Sequence, residues 1–154
     1  MIYIIGAGYM AREYARVLKS IGQEFIVIGR GKRAVDDLKL ELSVNAVAGG
    51  LTSFLSKSPR IADSAIVCTP VELLSSVTLE LLAFGIEKIM IEKPGGLSIT
   101  ELETLRDVAS QNNSSVVIGY NRRFYQATLA LEKRLKEEEL IAIDFVHTLG
   151  SLQE

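Results

Sequence analysis

The sequence predicts a doubly wound α/β domain, in which helices cover both faces of a parallel β-sheet. Six short apolar runs recur along the chain, and helical patterns lie between most of them. The runs are continuous rather than alternating, which is typical of strands buried on both faces. Because strand and helix alternate, right-handed crossovers into one parallel sheet are expected. The predicted strands cover residues 2–5, 25–28, 44–47, 65–68, 89–91 and 116–118.

The segment after the first strand has its apolar residues at helical spacing. Five of them fall on one predicted face, and Gly22 follows as a C-terminal cap. The connection after Arg30 is less clearly helical, and residues 51–57 predict a short helix. The residues of the first helical face are Met10, Tyr14, Val17, Leu18 and Ile21.

Two capping boxes mark the starts of later helices. The first covers residues 69–72, with Pro70 at the first helical position, and its helix is expected to end at Gly85. The second covers residues 98–101 and leads into an amphipathic pattern. Both helices are therefore placed as crossovers between neighbouring strands.

Composition excludes several classes of protein. A chain of 154 residues, 48% apolar and 23% charged, is typical of one soluble globular domain. The net charge of −2, without a basic tract, argues against a nucleic-acid partner. The N-terminus lacks the features of a signal peptide, and no apolar stretch reaches the roughly 18 residues of a membrane span. With a single cysteine, no internal disulfide can form, and we expect a cytoplasmic protein without a membrane partner.

A glycine-rich turn, GAGYMA, connects the first strand to the first helix. Gly6 permits the tight turn, Gly8 lets the backbone approach a pyrophosphate, and Ala11 allows close packing of helix on strand. Free N–H groups at the helix N-terminus, near Tyr9 and Met10, would bind the phosphates. Tight glycine turns also occur for structural reasons, but this position predicts a Rossmann-like dinucleotide site.

The loop after the second strand carries three cations where an NAD site would carry an acid. These are Arg30, Lys32 and Arg33, whereas Glu24 lies at the opposite end of the strand. Cations complement the 2′-phosphate of NADP, and Arg30 could also stack on adenine. A solvated basic loop is the alternative. The sequence therefore favours NADP as the cofactor, with NAD as the second choice.

Polar residues follow three later strands at the same edge of the sheet. Thr69 and Pro70 follow the fourth strand, EKP at residues 92–94 follows the fifth, and GYNRRF at residues 119–124 follows the sixth. In an open α/β sheet, ligands bind outside the carboxyl ends of the strands. These groups are expected to converge on one crevice.

In their order and spacing, these motifs resemble those of the Gfo/Idh/MocA family of NAD(P)-dependent oxidoreductases. The resemblance covers residues 1 to about 125 and rests on GAGYMA, CTP, EKP and GYNRRF. EKP alone is a modest signal, and with GYNRRF after it the signal is strong. The resemblance implies hydride exchange between a nicotinamide and a secondary alcohol or ketone, usually of a sugar, polyol or related compound. It also implies a small-molecule substrate, and no metal site is expected.

The resemblance assigns roles to the EKP residues. Lys93 would be the catalytic residue, because its ammonium can hydrogen-bond the reacting oxygen and stabilise alkoxide charge. Pro94 would fix the backbone through a bond that is often cis in the family, and Glu92 would line the cofactor side. The alternative is that Glu92 and Lys93 form an exposed pair that ends a strand.

The other motifs are assigned to cofactor binding by the same resemblance. Thr69 and Pro70 would flank the nicotinamide ribose, although a helix cap explains them equally well. Asn121 and Arg122 would lie near the nicotinamide or the substrate, or would simply be solvated at the start of a helix. Cys68 is expected to be a small buried residue rather than a nucleophile.

The chain departs from the family in two respects. Leu74 stands where members often carry a histidine, and the second, substrate-covering domain of the family is not found. We therefore predict a dinucleotide-binding domain at residues 1–121. Residues 122–154, a helix plus one strand at 140–148, would be the start of a truncated or missing substrate domain.

Two functions follow from these observations. The first is the cofactor-binding half of an oxidoreductase, inactive without the second domain. The alternative is a non-catalytic NADP-binding module for regulation or scaffolding. The C-terminal run has a period-2 strand pattern with one distinctly apolar face, and its strand is expected to pair across a homodimer that buries Ile143 and Phe145. In this pattern Ile141, Ile143, Phe145 and His147 alternate with Leu140, Ala142, Asp144 and Val146. His147 in the same run is interpreted as structural.

Overall fold

The computed structural model describes residues 1–57 and 59–137. The chain divides into two compact units, Met1–Tyr120 and Asn121–Glu154. The predicted strand at residues 140–148 and the homodimer contact assigned to it lie outside the described residues. The assignment of the second unit to a substrate domain stays a prediction.

The first unit contains a six-stranded parallel sheet, in the order β3-β2-β1-β4-β5-β6. This order places β1 in the middle and reverses the direction of winding between β1 and β4, as in Rossmann folds. The predicted doubly wound α/β fold is therefore confirmed. The strands are β1 (Ile2–Ile5), β2 (Phe25–Ile28), β3 (Ala46–Val47), β4 (Ser64–Val67), β5 (Lys88–Ile91) and β6 (Ser115–Ile118).

Five helices connect the strands of this sheet. They are α1 (Tyr9–Ser20), α2 (Lys32–Leu42), α3 (Leu51–Leu55), α4 (Val71–Phe84) and α5 (Ile99–Gln111). The helix α2 is a regular helix of 11 residues, although the sequence pattern after Arg30 was less clearly helical. Val35, Leu38 and Leu42 lie on one buried face, so three apolar residues are enough to hold a helix with many charges.

The core has two layers, one on each face of the sheet. Tyr3 and Ile5 pack with α3, α4 and α5, whereas Ile4 between them packs with α1 and α2. This alternation explains why the strand is apolar at successive positions. Across the described ranges, no helix is long and apolar enough to cross a membrane.

The apolar face predicted for α1 is confirmed at Leu18 and Tyr14, which pack in the core, and wrong at Val17 and Ile21. Val17 and Ile21 are 56% and 68% exposed, whereas Ala11, Ala15 and Leu18 are buried against the sheet. Small alanines let the helix lie close to the strands, so the larger side chains are left on the outside. The predicted cap at Gly22 is confirmed. Gly22 has φ +70°, and its N–H donates to the carbonyl of Lys19.

The two predicted capping boxes have different outcomes. The Ser98 hydroxyl accepts the N–H of Glu101 at 3.2 Å, and this box is confirmed. The box at residues 69–72 is wrong, because Pro70 is itself the N-cap and no side chain caps the helix. Pro70 is extended, and its carbonyl accepts the N–H of Leu73 at 2.9 Å. Thr69 is thereby left outside the helix.

The second unit is described up to Glu137. It contains a 3₁₀ helix, Asn121–Phe124, and then α6, Gln126–Glu137. On α6, Lys136 donates to Glu132 at 2.8 Å, and the two residues lie one turn apart. Arg122 and Arg123 lie in the 3₁₀ helix, before the start of α6 at Gln126.

Candidate functional site

A cleft of about 630 Å³ lies at the carboxyl ends of the central strands. The turns after β1, β2, β3 and β4 form its walls. Most of its surface is apolar, and backbone groups of glycines supply much of the rest. The predicted site residues that line it are Gly6, Gly8, Tyr9, Met10, Arg30, Thr69 and Pro70.

The floor of the cleft is the glycine turn between β1 and α1. Gly6 has φ +125°, and its N–H donates to Ile28 at 2.9 Å. Gly8 is the N-cap of α1, with φ −83°, and open space extends at least 4 Å from its missing side chain. A helix N-terminus that faces open space is suited to bind an anion such as a pyrophosphate.

The loop after β2 separates the three predicted cations. Arg30 lines the cleft. Lys32 is in the first turn of α2, where its ammonium donates to Asp36 at 2.6 Å. Arg33 is exposed beside it, and within the described residues neither Lys32 nor Arg33 lines the cleft. Arg30 is therefore the cation best placed for a ligand.

Glycines after β2 and β3 also shape the cleft, and the sequence analysis missed them. A Cβ on Gly29 would lie 2.5 Å from Val35 Cγ2 and 2.9 Å from the Cβ of Ala7. Gly50 has φ +84°, and its N–H donates to the Gly29 carbonyl at 3.0 Å. The adjacent glycines at the end of the third strand were the available signal.

Thr69 carries a buried polar atom without a partner. Among the described residues, its Oγ1 makes no hydrogen bond, although the residue lines the cleft. Burying an unpaired hydroxyl costs about 1–3 kcal/mol, so such a group usually has a partner that the protein chain does not supply. A ribose hydroxyl or phosphate oxygen in the cleft would satisfy it. The residues present thus fit a dinucleotide.

The EKP segment follows β5 directly. The Lys93–Pro94 peptide bond is cis, as the resemblance implies, and both residues are exposed. Tyr120 donates from its hydroxyl to the Pro94 carbonyl at 3.3 Å. Gly95, with φ +91°, lies against Ile118, which explains the glycine after this motif. The side chain of Lys93 is thus available to solvent at the carboxyl edge of the sheet.

Glu92 is turned towards helix α1. Its Oε1 accepts the hydroxyl of Tyr14 at 2.6 Å, and within the described residues it does not line the cleft. Burial, together with this hydrogen bond, raises the pKa of Tyr14. Burial first, and then the charge of Glu92, raise the pKa of the Cys68 thiol to about 12. Cys68 is therefore a neutral thiol at neutral pH. It is only partly buried and lines the cleft, so the prediction of a buried residue is wrong.

The remaining predicted residues lie apart from these groups. Leu74, at the position where family members often have histidine, is 1% exposed and belongs to the core. Asn121 and Arg122 belong to the second unit, and their expected role at the nicotinamide stays a prediction.

Three solved structures with a similar fold are described as dehydrogenases or a reductase. One is UDP-N-acetylglucosamine 3-dehydrogenase GnnA from Acidithiobacillus ferrooxidans, at 21% identity and TM-score 0.74, with 87% of this chain and 42% of that chain covered. The WlbA dehydrogenase from Bordetella pertussis, in complex with NADH and UDP-GlcNAcA, gives 14% identity and TM-score 0.79, with 88% and 41% covered.

A third structure shows that the likeness extends to another substrate class. It is biliverdin reductase from Synechocystis, in complex with biliverdin and NADP⁺, at 15% identity and TM-score 0.73, with 88% of this chain and 42% of that chain covered. The chain thus spans about 40% of the length of these structures.

A search of curated proteins found no matching relative. The family model described as "oxidoreductase family, NAD-binding Rossmann fold" matches residues 1–120. This range includes all six strands, the glycine turn and the EKP segment. The chain therefore belongs to the Gfo/Idh/MocA oxidoreductase family and contains its NAD-binding Rossmann domain.

Proposed function

We propose that the chain is the NADP(H)-binding part of an oxidoreductase that exchanges hydride between the nicotinamide and a secondary alcohol or ketone. The observation that carries this proposal is the open space in front of Gly8 at the N-terminus of α1. The orphan hydroxyl of Thr69 in the same cleft supports it, because a bound ribose or phosphate would supply the partner. The cofactor supplies the hydride chemistry when bound.

The preference for NADP is proposed from Arg30. No acid follows β2 at the cleft, and Arg30 lines it as an exposed guanidinium that can form two hydrogen bonds with a phosphate. Lys32 is held by Asp36, so it contributes positive charge rather than a direct contact. Among the similar structures, one is described with NADH and another with NADP⁺, so the family fold itself accommodates both.

Lys93 is proposed as the catalytic residue. Its ammonium would hydrogen-bond the reacting oxygen and move a proton to or from it. The exposure of Lys93 at the end of β5 supports this role, because the side chain is free to reach a substrate above the sheet edge. Glu92, Pro94, Asn121 and Arg122 are proposed to assist at the nicotinamide end.

The proposed substrate is a sugar or polyol. Two of the similar structures are named for, or bind, UDP-sugars, and a third binds biliverdin. The similar chains are more than twice as long as this one, so we expect turnover to need a substrate domain of the kind that family members carry. We further propose a homodimer that pairs through residues 140–148. In that case deletion of residues 139–154 should give a monomer by light scattering.

A non-catalytic module that binds NADP(H) for regulation or scaffolding is the second candidate. It is favoured by the position of Lys93, which is not among the described residues that line the cleft. The two candidates share the cofactor and differ in chemistry. Hydride transfer after addition of a family substrate domain would favour the first.

Titration calorimetry with NADPH, NADH and AMP tests the shared part of the proposal. We expect both dinucleotides to bind and AMP to bind far more weakly, because AMP has one phosphate for the turn at Gly8. A thermal-shift series with the same ligands should rank them in the same order, since a ligand of the folded state raises its stability. Absence of binding by both dinucleotides would contradict the proposed function.

A further inference from the structure

A single hydrogen bond joins the helix of the glycine turn to the EKP segment. Tyr14 lies on α1, and Glu92 lies between the end of β5 and Lys93. The Tyr14 hydroxyl donates to Glu92 Oε1 at 2.6 Å, and both residues are partly buried. A hydrogen bond of this length to a carboxylate is of the strong, charge-assisted kind.

The backbone of Glu92 is fixed independently of this bond. Its N–H donates to the carbonyl of Val67 at 2.9 Å, and its carbonyl accepts the N–H of Gly95 at 3.0 Å. The main chain is therefore set by β4 and by the tight turn. What the Tyr14 hydroxyl determines is the direction of the Glu92 carboxylate.

The carboxylate held in this way lies close to the cleft. The Glu92 N–H donates to the carbonyl of Val67, and the next residue, Cys68, lines the cleft beside Thr69. Besides burial, the negative charge of the Glu92 carboxylate contributes to the raised pKa of Cys68. On its other side, a Cβ at Gly119 would lie 3.7 Å from Glu92 Oε1 and 3.8 Å from the Tyr14 hydroxyl oxygen. The pair thus lies beside the backbone that follows β6, and Gly119 leaves it without a neighbouring side chain there.

We propose that Tyr14 is a positioning residue that holds the Glu92 carboxylate at the nicotinamide end of the cleft. The proposal rests on the proposed function, in which a dinucleotide places its phosphates at Gly8 and its nicotinamide half near the ends of β4 and β5. In this place the carboxylate can accept a hydrogen bond from a ribose hydroxyl or from the carboxamide of the nicotinamide. Tyr14 itself touches neither.

The test compares ligands that contain the nicotinamide half with ligands that lack it. Calorimetry is carried out on the 154-residue chain with NADPH and 2′-phospho-ADP-ribose, and with NADH and ADP-ribose. Tyr14→Phe removes only the hydroxyl, and Glu92→Gln removes only the charge. We expect each variant to bind NADPH and NADH at least about tenfold more weakly, the value of one hydrogen bond to a charged group. The affinity for the two ribose fragments should stay unchanged.

A matched control separates positioning from a general loss of stability. Tyr3→Phe also removes a phenol hydroxyl, one that donates to Arg60 at the opposite end of the sheet. It should lower the melting temperature without changing the affinity for any of the four ligands. The double variant Tyr14→Phe/Glu92→Gln should bind NADPH no more weakly than Glu92→Gln alone, because both changes remove the same interaction.

Three outcomes would overturn the inference. Wild-type affinity for NADPH and NADH in Tyr14→Phe would show that the hydroxyl has no positioning role. Equal weakening of whole cofactors and fragments would indicate a structural effect on the cleft. If the wild-type chain binds none of the four ligands, the proposed function fails, and this inference fails with it.

Discussion

The carbonyl oxygen of Cys68 lies 2.5 Å from the position that a Cβ atom on Gly6 would occupy. The ends of β1 and β4 are therefore too close to admit any side chain at residue 6. The same glycine has φ +125°, a conformation that other residues rarely adopt. Two independent constraints thus select glycine at this point. A Cβ atom on Gly8, by contrast, would meet no atom of residues 1–57 and 59–137 within 4 Å, its chain neighbours aside.

Substitutions at these two glycines should separate folding from ligand binding. Gly6→Ala should lower the free energy of unfolding by about 2–4 kcal/mol, because it adds backbone strain and a clash with a carbonyl. Gly8→Ala has an allowed φ of −83°, so it should cost at most about 1 kcal/mol. It should nevertheless weaken NADPH binding at least tenfold, because its methyl group would occupy the space expected for the pyrophosphate.

Urea unfolding and calorimetry on the two variants check this pair. A Gly8→Ala chain that binds NADPH like the wild type would show that the phosphates bind elsewhere. A Gly6→Ala chain of normal stability would contradict the clash.

Thr69→Val tests whether the orphan hydroxyl serves a ligand. Valine keeps the shape of threonine and removes an unpaired buried oxygen, so the free chain should be as stable as wild type or more stable by about 1 kcal/mol. Binding of NADPH should weaken about fivefold or more, since the ligand loses its partner. Thermal melting with and without NADPH measures both effects. Lower stability of the free Thr69→Val chain would indicate an unrecognised partner for the hydroxyl.

Arg30→Ala should remove most of the preference for NADPH over NADH. A charge-assisted contact to the 2′-phosphate contributes about 1.5–3 kcal/mol, which corresponds to a tenfold or greater loss in affinity. The control is Lys32→Ala, whose side chain is paired with Asp36 and should change the affinity by less than about threefold. Calorimetry at fixed ionic strength gives the ratio of NADPH affinity to NADH affinity for each variant and for the wild type. Equal affinities for NADPH and NADH in the wild type would refute the assignment.

Lys93→Met should leave cofactor affinity nearly unchanged, because Lys93 is proposed to act on the substrate. In a chain that carries a family substrate domain, the same change should lower turnover about 100-fold or more, the usual scale of general acid–base catalysis. Steady-state kinetics and calorimetry on the same preparation measure the two quantities. A large loss of NADPH affinity would place Lys93 at the cofactor instead.

Stability should decrease at alkaline pH because of Cys68. Its thiol has a pKa of about 12 when folded and an ordinary value of 9.0. The stability that folding gains while this thiol stays protonated in both states is therefore fully present below pH 9. The free energy of unfolding then falls as the pH rises towards 12, by at most about 1.4 kcal/mol per pH unit. In Cys68→Ala, the free energy of unfolding should depend less steeply on pH between 9 and 10. Urea unfolding at several pH values measures this dependence for both proteins. If the free energy of unfolding changes equally with pH in the wild type and in Cys68→Ala, Cys68 has no such role.

The strands and the glycine turn could be predicted from the sequence, because their signals are local. The runs at residues 2–5 and 25–28 coincide with β1 and β2, since each is apolar at every position. The burial of α1 could not be predicted from hydrophobicity. Ala11 and Ala15 face the sheet while the larger Val17 does not, and this depends on how closely the helix approaches the strands.

The same limit applies to the candidate site. Gly6, Gly8 and the EKP segment were found by motif, because each requires a particular residue type at a fixed distance from a strand. The bond between Tyr14 and Glu92 joins residues 78 positions apart, and no local pattern marks it. The unpaired hydroxyl of Thr69 was missed because residues 69–72 match a capping box, in which this hydroxyl would cap the helix. In the structure Pro70 is the N-cap instead.

The central place of β1 has a consequence for the order in which the protein assembles. The strand is made first, but one of its two partners is β4, where Ile2 lies opposite Ser64 and Ile5 opposite Val67. A nascent chain cannot complete this pairing until residues 64–67 have been synthesised, and such distant contacts form slowly. The glycine turn gains its final neighbour, the Cys68 carbonyl, in the same step. Fragments that end before β4 should therefore fail to bind the cofactor, although they contain the whole GAGYMA motif.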